Sequence, residues 1–270
     1  MGDIPSLPLQ SVTEHSFSEL LRTGELKDRN MTVAIGVFDG VHNGHRDIFT
    51  TLVRRAHDYP DTQSMVITFA TNPKIKGMQF TDTLRLRQLY AESFSIDHFT
   101  VIDFCEDFSK ISGSEFIRLL CTMCRVKAVI VGEDFKCGAP SSQVTAEELG
   151  REFASIGYDV DVDIRPAVMG DDQMRISSTR LREMIRTGDM DSVSRVSGRP
   201  YTIDLQGIMQ ERGSKGLFMK RSAFSQLLPP EGRYRAEYAG SPAALEITPD
   251  AVILEGEGKG DTVSILTKEL

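Results

Sequence analysis

Basic residues are in deficit. The chain has 31 Lys and Arg against 39 Asp and Glu, a formal net charge of −8. That balance argues against non-specific nucleic-acid binding, so no nucleic-acid partner is expected. It leaves room for a small anionic ligand, because a local positive pocket can sit in an acidic protein. Long apolar runs are missing too. No stretch approaches the roughly 20 residues of a membrane span, and no membrane association is expected. The opening MGDIPSLPLQ has neither a basic region nor an apolar segment of the secretory type, so the expected location is cytoplasmic. Cysteine is sparse: Cys105, Cys121, Cys124 and Cys137. Cys121 and Cys124 form one C-x-x-C inside an apolar helical pattern, without a second pair or neighbouring histidines. Zinc is therefore not expected, and two small apolar residues on a helix is a better reading than a redox pair.

Histidine is scarce as well, with 5 in 270 residues. Two of them fall in the stretch Gly36-Val37-Phe38-Asp39-Gly40-Val41-His42-Asn43-Gly44-His45-Arg46. An apolar run, 31–37, precedes this stretch and a helical pattern follows it. A helix entrance offers unpaired N–H groups and partial positive charge, and glycine lets the backbone come close to a bound group. Histidines add donors aimed at phosphate oxygens. An H-x-G-H in that setting points to nucleotide chemistry. The other reading is two solvent histidines at a helix start. His15, His57 and His98 are expected to be surface or packing residues.

The remaining 40% hydrophobic and 26% charged composition is that of an ordinary globular protein, long enough for one large or two modest domains. Apolar, β-rich runs occur at 31–37, 64–69, 97–103, 126–131 and 158–164. Helical patterns lie between them at 45–57, 81–94, 113–124 and 145–156. This alternation predicts βαβ units and a parallel, Rossmann-like sheet, with ligands bound where strands end and helices begin. The charged segment Arg85 to Arg87 reads as a solvated helix face. A further helix entrance, Ile176-Ser177-Ser178-Thr179-Arg180-Leu181-Arg182, follows the polar Asp171-Asp172 loop. Its hydroxyls either cap the helix and do nothing more, or join Arg180 in a phosphate site. A short helix is expected around 189–196, and Gly198-Arg199-Pro200 marks a boundary. Beyond Tyr201, short alternating runs separated by Gly, Pro or Asp predict a small antiparallel β domain.

With both motifs in view, the chain resembles the bacterial bifunctional FAD synthetases, which join a riboflavin kinase to an FMN adenylyltransferase. The resemblance rests on GVFDGVHNGH (36–45), Val131-Gly132-Glu133-Asp134-Phe135, ISSTRLR (176–182) and Gly198-Arg199-Pro200-Tyr201. It implies an α/β nucleotidyltransferase domain over 1–198, and over 199–270 a truncated, degenerate barrel of the riboflavin-kinase type. It implies transfer of AMP from ATP to FMN, giving FAD and pyrophosphate, with magnesium carried by the ATP phosphates and not held by protein ligands. His42, His45 and Arg180 are the implied catalytic residues. Gly36, Phe38, Asp39, Gly40, Gly44, Ser177, Ser178 and Thr179 would bind ATP. Asn72, Asp134 and Phe135 would line the FMN side.

Two departures stand out. The family has Phe-x-Pro-His-Pro where this chain has Phe69-Ala70-Thr71-Asn72-Pro73, so an amide that cannot become cationic replaces a histidine. The family's Pro-Thr-Ala-Asn segment is replaced within 213–224, and the sequence stops before the later kinase glutamate. Riboflavin kinase activity is therefore expected to be absent. Two other readings remain. One is a non-catalytic flavin or nucleotide binder; the other is a related nucleotidyltransferase acting on another phosphorylated acceptor. ATP and FMN are the expected small-molecule partners, and the sequence leaves protein partners unknown.

Overall fold

The computed structural model describes residues 11–71, 79–103 and 110–269. Asn72, Cys105 and the first ten residues lie outside them. By packing, the chain divides into two compact units. The first holds the described residues within 11–38, 44–76 and 88–167. The second holds those within 39–43, 77–87 and 168–269.

The first unit is built on six parallel strands: β1 (Thr13–Ser16), β2 (Asn30–Ile35), β3 (Thr62–Phe69), β4 (His98–Ile102), β5 (Arg125–Gly132) and β8 (Asp161–Arg165). Their order is β1-β4-β3-β2-β5-β8. From β2 the chain winds outward through β3 and β4, then crosses back to β5 and β8. The order reverses between β2 and β5, the place where open α/β sheets bind ligands. β2 is buried from Met31 to Ile35, as strands covered on both faces must be. The helices α1 (Phe17–Thr23), α2 (Asn43–Ala56), α3 (Leu84–Ser93), α4 (Gly113–Met123) and α5 (Leu149–Ser155) punctuate the strands. α4 begins with a full capping box between Ser112 and Glu115. The core gathers Val33, Ile35, Met65, Ile67, Phe116 and Leu120.

Cys121 and Cys124 belong to this core. Burial pushes their thiols up to about 11 and about 12, so they are inert packing groups at neutral pH. β6 (Lys136–Cys137) and β7 (Val144–Thr145), a two-stranded antiparallel pair, and the opening β1–α1 pair are elements the sequence pattern missed.

The second unit contains α6 (Ser178–Thr187), α7 (Met190–Ser197) and an antiparallel sheet. Its strands are β9 (Tyr201–Asp204), β10 (Glu211–Gly213), β11 (Gly216–Lys220), β12 (Gly232–Tyr238), β13 (Ser241–Ile247), β14 (Ala251–Glu255) and β15 (Thr262–Lys268). The order β10-β11-β14-β13-β12-β15-β9 leaves the sheet open, a half-barrel in keeping with the truncated, degenerate barrel that the resemblance implies. Along β12 the inward Tyr234, Ala236 and Tyr238 alternate with exposed Arg233, Arg235 and Glu237. One core serves this whole unit. Ile176, Leu181 and Ile185 of the α6 region and Val193 of α7 share it with Tyr201, Tyr234, Leu245 and Val263. The packing division therefore falls near residue 168, whereas the motif-based boundary lies at 198/199.

Candidate functional site

The histidine-bearing loop leaves β2 at the strand-order switch. Three of its residues lie in the left-handed region: Phe38 (φ 51°), Gly40 (φ 83°) and Val41 (φ 28°). For phenylalanine and a β-branched valine that is an unfavourable conformation, held only where surroundings enforce it. At Gly40 a side chain is also excluded by space, since a Cβ there would lie 2.4 Å from Leu181 Cδ2. In the first unit, the Phe38 ring meets the His45 ring edge-on at 5.3 Å between centroids. Gly36 fits beneath that ring; a Cβ would come within 2.9 Å of Phe38 Cζ. Gly44 and His45 open α2. Asp134 and Phe135 follow the C-terminal end of β5, the strand beside β2, and a Phe135 N–H to Gly132 O bond of 3.0 Å tightens their turn.

The second unit holds the remainder of the loop, 39–43, together with the entrance of α6. Ser177 is the N-cap of α6, its Oγ accepting from the Arg180 N–H at 3.3 Å. Ser178 Oγ donates to the Asp39 carbonyl at 2.8 Å. The Asp39 carboxylate is buried and accepts from Thr81 N–H (2.8 Å), Thr81 Oγ1 (2.6 Å), Asp82 N–H (3.1 Å) and the Arg182 guanidinium (2.5 Å). The two motifs, 139 residues apart in the chain, are therefore tied together by direct bonds.

Asp39 was expected as an ATP contact, but its side chain is fully engaged within the protein. Arg182, left out of the expected site, is buried as its ion-pair partner. Only a long-range pairing of this kind could have singled it out. Arg180 pairs with Asp172 and donates to the Met174 carbonyl at 3.1 Å. That contact holds the Asp172 carboxyl below its usual range. Thr179 is exposed on the first turn of α6, and His42 is buried in the loop.

The solvated face expected at Arg85–Arg87 is corrected. Arg87 is 1% exposed, its guanidinium 4.6 Å above the Phe80 ring. Burial pushes it down to about 10, against the pull of Asp39 and Asp82. Arg85 pairs with Asp204 at 2.6 Å and with Asp261. Segment 79–87 packs within the β-rich unit, so its charges find protein partners, Asp204 among them buried.

This arrangement presents helix-entrance N–H groups, hydroxyls and cations, the donor set for phosphate oxygens. Comparisons with known proteins lead the same way. A bifunctional riboflavin kinase/FMN adenylyltransferase of Buchnera aphidicola is 28% identical over 183 residues, which cover 64% of this chain and 56% of that protein. The chain thus spans little more than half of that relative. An FAD synthetase of Listeria monocytogenes is 25% identical over 215 residues, covering 77% of this chain and 82% of its own. A crystal structure described as a macrolide-efflux protein from Streptococcus pneumoniae superposes with a TM-score of 0.75 over 96% of this chain and 91% of its own; at 21% identity it shares the fold. Among the described residues, no helix is long and apolar enough to cross a membrane. The FAD synthetase family's sequence model matches residues 25–180, more than half of the chain, taking in GVFDGVHNGH and the first five residues of ISSTRLR, and the chain belongs to that family.

Proposed function

We propose that this protein is an FMN adenylyltransferase: it transfers AMP from ATP to FMN, releasing pyrophosphate and FAD. The observation that carries the reading is the bond set joining Asp39 to Ser178 and Arg182. It ties the loop bearing His42 to the helix entrance bearing Ser177–Arg180. The attacking FMN phosphate is already ionised, so the protein needs no nucleophile. Its work is to align two anions and neutralise charge on the α-phosphate and the leaving group. In this reading His42, His45 and Arg180 contact ATP phosphates. Ser177, Ser178 and Thr179 offer hydroxyls and helix N–H groups to the β- and γ-phosphates. Gly36, Phe38, Gly40 and Gly44 shape the nucleotide path. Asp134 and Phe135, with Asn72, serve the FMN side. The donor set is made of nitrogens and hydroxyls, which suit phosphate better than magnesium. Magnesium therefore arrives bound to ATP.

We also read 1–198 as the catalytic region in the family sense, and the protein as cytoplasmic, where its nucleotide substrate is available. Replacement of Pro-Thr-Ala-Asn within 213–224 leaves no riboflavin kinase activity. The test is a product assay with ATP and magnesium. FMN is expected to yield FAD and pyrophosphate; riboflavin is expected to yield no FMN. FMN formation would overturn the second point, and absence of FAD the first. One observation favours a second reading, nucleotide binding without turnover: Arg180 is already engaged by Asp172. Calorimetric binding of ATP without product would select it.

A further inference from the structure

The β-rich unit sends four bonds to one three-residue segment. Leu227 N–H donates to the Phe80 carbonyl at 2.8 Å. Gln226 Nε2 donates to the Thr81 carbonyl at 2.7 Å, and the Tyr201 hydroxyl shares its one proton between the Thr81 carbonyl at 2.9 Å and the Leu227 carbonyl at 2.5 Å. The Arg199 guanidinium donates to Asp82 Oδ2 at 2.7 Å and reaches the Gly40 carbonyl at 3.3 Å. The same segment turns its own donors, Thr81 N–H, Thr81 Oγ1 and Asp82 N–H, onto the Asp39 carboxylate. Asp39 sits between Phe38 and Gly40, in the stretch of positive φ that leads to His42.

Tyr201, Gln226 and Asp82 are all buried, and Tyr201 is fully so. Burying hydroxyl, amide, carboxylate and guanidinium groups costs free energy that apolar packing would not. A hydrogen-bonded polar network offers instead a defined geometry. Here that geometry ends on the loop that carries a phosphate-binding histidine. Gln226 is itself fixed, its Oε1 accepting from the Asp204 N–H at 2.9 Å.

We propose that Arg199, Tyr201 and Gln226 are positioning residues for adenylyl transfer: through segment 80–82 and Asp39 they hold the 39–43 loop in its catalytic conformation, and this is the work of the β-rich unit. The inference rests on the adenylyltransferase reading. It gives a kinase-like module without its kinase motif a role in the other reaction.

The test uses the full-length chain. Tyr201→Phe combined with Gln226→Met removes both side-chain donors to Thr81 O without changing charge. Arg199→Gln removes the guanidinium, and Arg199→Lys keeps its charge. FAD formation is measured below each variant's melting temperature, with amide hydrogen exchange alongside. The expected result is a kcat at least ten-fold lower in the double variant and in Arg199→Gln, with partial recovery in Arg199→Lys. Exchange should quicken in 39–43 and 79–87 while β12 and β13 stay protected. Should the double variant not fold, Tyr201→Phe alone, which deletes one oxygen, is expected to lower kcat measurably. Unchanged kcat in folded variants, or loss only in proportion to the unfolded fraction, overturns the inference. A wild-type protein that makes no FAD overturns the adenylyltransferase reading and this inference with it. Active wild type with unaffected variants overturns this inference alone.

Discussion

Asp39 and Asp172 show how differently two aspartates can serve one helix entrance. Asp39 is 1% exposed and faces Arg182, itself 5% exposed. Removing one member of such a buried pair strands the other's charge. Asp39→Ala is expected to lower unfolding free energy by about 3–5 kcal/mol, read from urea denaturation, and to abolish FAD formation. Asp172 instead sits in an exposed loop and occupies the guanidinium that triphosphate is proposed to use. In that proposal it is a weak internal competitor. A solvent-exposed pair is weak, so Asp172→Asn should tighten ATP binding by up to about five-fold in calorimetry. Weaker binding would show that Asp172 helps to orient Arg180. Loss of a transition-state donor is a larger effect: His45→Ala and Arg180→Ala are each expected to reduce kcat by about 10²–10³. Near-normal rates in both would remove them from the site.

Among the elements, those with a strong local signal were legible. The apolar runs became β2 to β5 and β8, and the Ser-Ser-Thr-Arg entrance became the capped start of α6. β1 was not legible, because Thr13–Ser16 carries no apolar alternation. It is a strand through its pairing with β4, Thr13 opposite His98 and Ser16 opposite Val101. The Arg85–Arg87 error has the same origin: only tertiary placement decides whether a helical charge meets water or a buried aspartate. β1 also carries a pH-sensitive contact. His15 Nε2 and His98 Nδ1 lie 3.0 Å apart, a bond with room for one shared proton. Burial lowers both pKa values below 6.5, against the pull of Glu19 and Glu25 on His15 and of Asp97 and Glu25 on His98, while Arg29 and His15 push His98 further down. The folded state thus prefers both rings neutral. As pH falls below 6.5 the unfolded chain binds protons first, so stability is full above that value and declines below it. Protection of the 13–16 amides, taken relative to the intrinsic exchange rate at each pH, should fall between pH 7 and 5. Replacing His98 with Gln should flatten that dependence, and an unchanged profile would assign it to other groups.

At the scale of the whole molecule, the motifs and the cores divide the chain differently. Family motifs end near 198, yet Ile176, Leu181, Ile185, Met190, Val193 and Val196 are buried against side chains that follow Tyr201. A chain ending at Gly198 would keep every phosphate-contacting residue proposed here. It would also strip those six side chains of their partners. Full burial of each is worth about 1.5–3 kcal/mol, and together they rival the entire stability of a typical domain, about 5–15 kcal/mol. The 39–43 loop would simultaneously lose Arg199, and Thr81 beside it would lose Tyr201 and Gln226. The 1–198 fragment is therefore expected to aggregate, or to bind a hydrophobic dye with reduced far-ultraviolet helix signal, and to make no FAD. A soluble 1–198 fragment with the full-length rate would mean that α6 finds its geometry without the sheet, and that the β-rich unit serves some purpose separate from the nucleotide site.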